Sequence, residues 1–206
     1  MMTFLSEADK QRITEAIREA ERKTSGELVT VIAHAADAYL YIPMLWASLA
    51  ALTLPAVIWL LPVNLPFPLL YSFQLATFLG LALLFRWTPL KMRLIPKAVK
   101  RRRAGRLAWE QFFAQNLHLT RQRTGVLLFV SVAERYVEIL ADKGINDKVK
   151  QDAWDDIVAD FIKRVKAGEI TEGFLSAIGA CGELLAESFP RPEGDVDELP
   201  NRLIEI

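Results

Sequence analysis

AYLYIPMLWASLAALTLPAVIWLLPVNLPFPLLYSFQLATFLGLALLF, residues 38–85, holds no Asp, Glu, Lys or Arg, in a chain of 206 residues of which 24% are charged. The hydrocarbon core of a bilayer takes roughly 20 apolar residues in helix, and this stretch supplies two such lengths, residues 40–61 and 67–85. Between them Pro62, Val63, Asn64, Leu65 and Pro66 form a tight turn, so the spacing predicts two antiparallel, neighbouring helices. Trp46, Trp59, Tyr71 and Trp87 stand near the span ends, where amphipathic rings favour the headgroup region, and Pro55 is expected to kink the first span. A helix buried in a soluble core normally keeps a polar stripe, and these two have none. The stretch therefore reads as a transmembrane helical hairpin over residues 38–87.

The flanks orient it. Lys91, Arg93, Lys97, Lys100, Arg101, Arg102, Arg103 and Arg106 follow the second span without an acidic residue among them, and Lys10, Arg12, Arg18, Arg22 and Lys23 precede the first. Lysine and arginine beside a span are retained in the cytoplasm, so both termini are expected there, with Asn64 on the opposite face. Lys97, Lys100, Arg101, Arg102, Arg103 and Arg106 are also expected to lie on anionic headgroups, at about 1 kcal/mol per residue near the surface. Nucleic acid is not an expected partner, because no interleaved aromatics or recognised binding fold accompany the charges. The formal net charge of zero hides this local asymmetry.

The remaining segments alternate between helical and extended patterns. Ser6 and Asp9 form a capping pair before an amphipathic helix bearing Ile13 and Ile17, expected to stop near Gly26. Residues 28–33 are a β-rich apolar run that leads into the hairpin. Residues 99–119 read as a basic amphipathic helix with Leu107, Phe112 and Leu117 among its apolar positions. Gly125 opens a continuous apolar run over residues 126–130, the pattern of a central buried strand, and residues 136–140 supply its antiparallel partner. Asn146 or Asp147 caps a helix with Val149, Trp154, Ile157, Phe161 and Val165 at near-helical spacing, ending at Gly168. A last helix carries Phe174, Leu175, Ile178, Leu184 and Leu185 and stops before Pro190.

The expected plan is thus one α/β domain interrupted by the hairpin. Residues 1–37 are its first part, 38–87 the hairpin, 88–120 the basic helix, 121–190 its second part, and 191–206 an acidic tail. The strand at 28–33 is expected beside the one at 126–130, since neither part has enough strands for a sheet alone. A single cysteine, Cys181, excludes an intramolecular disulfide and a CxxC pair. The charged opening, residues 7–23, is not the apolar core of a cleaved signal.

Thr24-Ser25-Gly26-Glu27-Leu28-Val29-Thr30-Val31, residues 124–131, and Glu134-Arg135-Tyr136-Val137-Glu138-Ile139 followed by Asp142-Lys143-Gly144-Ile145 resemble the core of the TPM domain family. The closing residues 198–206 are similar to the end of its short bacterial members, which carry a hairpin after the first strand. The resemblance implies a Rossmann-like α/β sandwich with roles from membrane-protein maintenance to receptor modulation. It also implies, for some members, weak acid phosphatase activity and divalent-metal binding at acidic loops. Two departures bear on that metal. Asp142-Lys143-Gly144 stands where many members have Gly-x-Gly, and Gln122-Arg123-Thr124-Gly125 where they often have Asn-Asn-Gly.

No GxxxxGK[ST], HExxH or GxSxG spacing occurs. His34 and His118 are far apart and read as satisfied or solvent-facing histidines, and Cys181 as core. Carboxylates remain, because hard cations need several oxygen ligands brought together from loops. Asp142, Glu27 and Asp147 are the candidate ligands for a weakly bound calcium or magnesium ion; Asp152, Asp155 and Asp156 read as the wet face of a helix. Ligands of α/β sheets sit beyond the carboxyl ends of strands, which favours Asp142 over Glu27. The expected function is a membrane-anchored, non-enzymatic accessory protein in a bacterial inner membrane, with the bilayer and other membrane proteins as partners. The alternative is a divalent-metal-dependent acid phosphatase, for which no nucleophile is evident.

Overall fold

The computed structural model describes residues 5–62 and 65–206. It divides into two compact units, one running up to Ala36 and resuming at Arg103, the other Asp37–Arg102.

In the first unit, α1 (Glu7–Glu21) starts at Ser6, whose Oγ accepts a hydrogen bond from the Asp9 N–H at 3.1 Å while Asp9 Oδ2 accepts from the Ser6 N–H at 3.2 Å. This reciprocal cap satisfies two N–H groups that the helix itself cannot. It leads to β1 (Glu27–Ala33), which pairs in parallel with β2 (Gly125–Ser131) from Glu27↔Gly125 to Ala33↔Ser131. β3 (Tyr136–Ala141) returns antiparallel along β2. The segments on either side of the insertion thus build one sheet, as expected. Every residue of β1 and β2 is buried, because both faces are covered.

On one face Leu28, Ile32, Val126 and Leu128 meet Ile13 and Ile17 of α1, Trp154 and Phe161 of α7 (Gln151–Lys166), and Phe174, Ile178 and Leu185 of α8 (Ile170–Ser188). On the other, Val29, Val31, Leu127 and Phe129 meet Ala108 and Phe112 of α5 (Lys97–Ala114). The architecture is an α/β sandwich, with the period-2 alternation of each strand feeding two cores. Short α6 (Lys143–Asn146) follows β3.

Three expectations are corrected. Asn146 and Asp147, expected to cap α7, lie at the end of α6, and α7 starts from Lys150. The helix expected over residues 99–119 ends at Ala114; Asn116 adopts a left-handed conformation (φ 60°) and a 3₁₀ turn, Leu117–Leu119, follows. The turn then packs against the start of β2: a Cβ on Gly125 would lie 2.4 Å from the Leu117 oxygen, and only glycine allows this approach. The segment 191–206 was expected to be an unpatterned tail. Instead it closes in β4 (Leu203–Glu205), which pairs in parallel with β1 and gives the order β3-β2-β1-β4.

In the second unit, α2 (Tyr41–Trp59) and α3 (Phe67–Leu84) pack against each other, followed by α4 (Thr88–Leu94) and the first turn of α5. Ala47 and Ala51, one turn apart, are buried, and small side chains let helix backbones approach closely. Pro55 lies within α2. α3 buries none of its residues, and Leu52, Trp59, Phe67 and Leu83 are all more than half exposed. Both helices are long and apolar enough to cross a membrane, each with a mean hydropathy of 1.7. Of the turn between them, Val63 and Asn64 lie outside the described residues.

Candidate functional site

Asp142 follows the last residue of β3, so it stands at a carboxyl end. β3 runs antiparallel, however, and its carboxyl end is the amino end of the parallel pair: the Asp142 N–H donates to the Gly125 carbonyl at 2.9 Å, and Gly125 registers with Glu27. Glu27 and Asp142 therefore lie at one end of the sheet with β2 between them. The preference for Asp142 over Glu27 on grounds of strand direction fails for this reason. Asp147 is exposed at the end of α6.

Each buried carboxylate here already has partners. Asp142 is 6% exposed; Oδ1 accepts from the Lys143 N–H at 2.7 Å, capping α6, and Oδ2 lies 2.8 Å from Arg123 Nε. Glu27 Oε1 accepts from the Glu198 N–H at 2.9 Å and Oε2 from the Leu199 N–H at 3.3 Å. Burial raises the pKa of Glu27, against the opposing effect of those two N–H donors. These bonds tether the segment that ends in β4, which gives Glu27 a structural task.

A third carboxyl completes this end. Glu21 is 3% exposed; its Oε1 accepts from the Leu28 N–H at 2.9 Å, and its Oε2 has no hydrogen-bond partner among the described residues. Burial pushes its pKa up to about 8, with the charges of Glu27 and Asp197 adding to the effect. Arg191 bridges outward: Nη1 donates to the Glu21 carbonyl oxygen at 2.8 Å and Nη2 pairs with Asp197 Oδ1 at 2.7 Å. The sequence did carry a signal for Glu21. Ile13 and Ile17 continue at the same spacing to position 21, so the buried stripe of α1 ends on a carboxyl. A group this enclosed meets no substrate, and general acid–base work needs hydrogen-bond reach to one.

The divalent cation implied by the acidic loops does not fit these residues. Among the described residues no three His, Cys, Asp or Glu side chains converge as ligands. The Arg123 guanidinium, held by a left-handed backbone (φ 58°), places a permanent positive charge on the one carboxylate oxygen that a metal would need. Lys143, next in sequence, is exposed, and the positive charge beside Asp142 comes from Arg123. The two loop departures are joined in space: a Cβ on Gly144 would lie 2.5 Å from the Gln122 oxygen and 2.7 Å from that of Arg123.

Of the expected surface cations, Lys97, Arg101, Arg102 and Arg106 are exposed, while Lys100 and Arg103 are half-buried. Lys100 Nζ donates to the Met92 carbonyl at 2.7 Å, and Arg106 pairs with Glu110 at 2.8 Å.

The model of one protein family, the TPM domain, matches residues 97–184. Among solved structures, that of the BA42 protein from the psychrophilic bacterium Bizionia argentinensis, determined by NMR, is similar: 22% identity, a TM-score of 0.63, and coverage of 100% of this chain and 98% of that one. At that identity the likeness is one of fold. No curated protein matches the chain.

Proposed function

We propose that this chain, which carries a TPM domain, is a membrane-anchored accessory protein: the α2–α3 hairpin crosses the bilayer, and the domain serves neighbouring membrane proteins without catalysis. The observation that carries the membrane reading is the apolar surface of α2 and α3. Fully burying a large apolar side chain is worth roughly 1.5–3 kcal/mol, so helices that leave this many exposed are unstable in water and at ease in lipid. Helices also satisfy their own backbone hydrogen bonds, the condition for crossing hydrocarbon. The Lys and Arg beside both spans favour a cytoplasmic domain in a bacterial inner membrane. The non-catalytic part rests on the carboxylates of the sheet end, which are engaged by backbone N–H groups and Arg123.

Alkaline extraction of membranes tests the anchor. The full chain stays with the membrane pellet, and a chain lacking residues 39–87 is released. Release of the full chain would overturn the anchor. Site-specific photocrosslinking from α2 and α3 then tests for membrane-protein neighbours, and crosslinks to lipid alone would overturn the accessory role.

A further inference from the structure

A cavity of about 500 Å³ lies at the opposite end of the sheet from the carboxylates, beyond the carboxyl ends of the parallel strands β1 and β2. α/β sheets bind ligands at that end. It is lined by Ile32 of β1, Val130 of β2 and Val137 of β3, and by Phe161 and Val165 of α7 and Phe174 of α8. Phe161 and Phe174 meet edge to face with centroids 5.0 Å apart, which fixes the inner wall. Ile32, Val130, Phe161 and Phe174 are buried and Val137 and Val165 half-buried, whereas Arg135 and Lys166 are exposed, so the two cations mark the solvent end.

No carboxylate lines the cavity. The nearest in sequence, Glu134, is taken up by the Ser131 hydroxyl and by the Ala36 N–H at 3.1 Å. Arg135 sits in the turn between β2 and β3 with a left-handed backbone (φ 53°), its N–H bonded to the Val132 carbonyl at 3.1 Å. Neither Arg135 nor Lys166 has an ion-pair partner among the described residues.

We propose that this cavity binds a single-chain amphiphile with an anionic head, of the fatty-acid class, its alkyl chain among Ile32, Val130, Phe161 and Phe174 and its carboxylate at Arg135 and Lys166. An apolar pocket with a few convergent polar groups is the usual form of a small-molecule site. At roughly 30 Å³ per non-hydrogen group, the share of one liquid water, the volume holds about 17 such groups, the size of one long alkyl chain with its head and far short of a two-chain phospholipid. The guanidinium fork donates two parallel hydrogen bonds to a carboxylate, and the ammonium adds a second charge. This proposal does not depend on the hairpin crossing a membrane.

Photolabelling of the purified full chain in nonionic detergent, with a diazirine-bearing hexadecanoic acid, tests it. Label is expected in peptides covering residues 130–137 and 161–174, competed by unlabelled hexadecanoic acid and not by its methyl ester. The double variant Arg135→Gln with Lys166→Gln shifts the competition midpoint at least about tenfold, the loss expected for charge-assisted hydrogen bonds. Val165→Trp, which fills the cavity, removes the label; if that variant does not fold, the charge variant decides alone. Label confined to residues 41–84, equal competition by the methyl ester, or an unchanged midpoint in the charge variant would each overturn the proposal.

Discussion

Glu21 ends the apolar stripe of α1 on an ionisable group whose Oε2 has no hydrogen-bond partner among the described residues, and stability should register this. Burial raises its pKa from the ordinary 4.5 to about 8. The folded chain therefore binds the proton more tightly than the unfolded chain, holds more protons between those two values, and loses stability as pH rises through that window. The contribution is complete below about pH 4.5 and gone above about pH 8. Glu21→Gln keeps the neutral shape, so its thermal midpoint should equal that of the unmodified chain near pH 5 and exceed it at pH 8.5. A constant difference across pH would show that Glu21 ionises normally. Asp142 makes the second residue-level case. Asp142→Ala removes the α6 cap and the partner of Arg123, and about 0.5–2 kcal/mol is expected for the cap alone. Calorimetry with calcium should show only weak binding, unaltered by the substitution; submicromolar affinity lost with Asp142 would mean that Arg123 yields its place to a metal.

At the scale of elements, α1 and α8 approach closely where Gly182 faces Ala20. A Cβ on Gly182 would lie 2.7 Å from Ala20 Cβ, whereas one on Gly179, in the same helix, meets nothing within 4 Å. Gly182→Ala should therefore cost roughly 1–3 kcal/mol by overpacking. Gly179→Ala should gain about 0.5–1 kcal/mol from helix propensity. Denaturant midpoints of the two variants, moving in opposite directions, check the α1–α8 packing. Elements with a strong period were legible in the sequence for the same physical reason that they fold: β1, β2, β3, α7 and α8 each carry an unbroken apolar run or stripe. β4 was not, because its three residues are held by pairing with β1 and by the Glu27 tether to Glu198 and Leu199, contacts across more than 170 positions that no local pattern reports. The site was half legible for a related reason. Glu27 and Asp142 were singled out as metal ligands, but the strand direction that places them at one end, and the Arg123 that pairs with Asp142, are properties of the assembled sheet.

The whole molecule combines a domain drawn from both sides of an insertion with a hairpin that exposes apolar surface. β1 is central in the order β3-β2-β1-β4, so a fragment starting at Gly105 loses the only strand between β2 and β4 and should not fold. Removing residues 39–87 and bridging with a flexible linker leaves all four strands, and should give a water-soluble domain with a cooperative melt. A hairpin that crosses the membrane with the domain in the cytoplasm puts residue 64 and the domain on opposite faces of the bilayer, which cysteine accessibility reads out. Cys181 is fully buried and its thiol is pushed up to about 12, so an introduced cysteine is the reactive one. With an impermeant maleimide on intact spheroplasts, Asn64→Cys should label at once, and Glu193→Cys only after permeabilisation. Labelling of Glu193→Cys but not Asn64→Cys in intact spheroplasts would invert the topology, and protection of both in a chain that washes off as a soluble protein would remove the anchor.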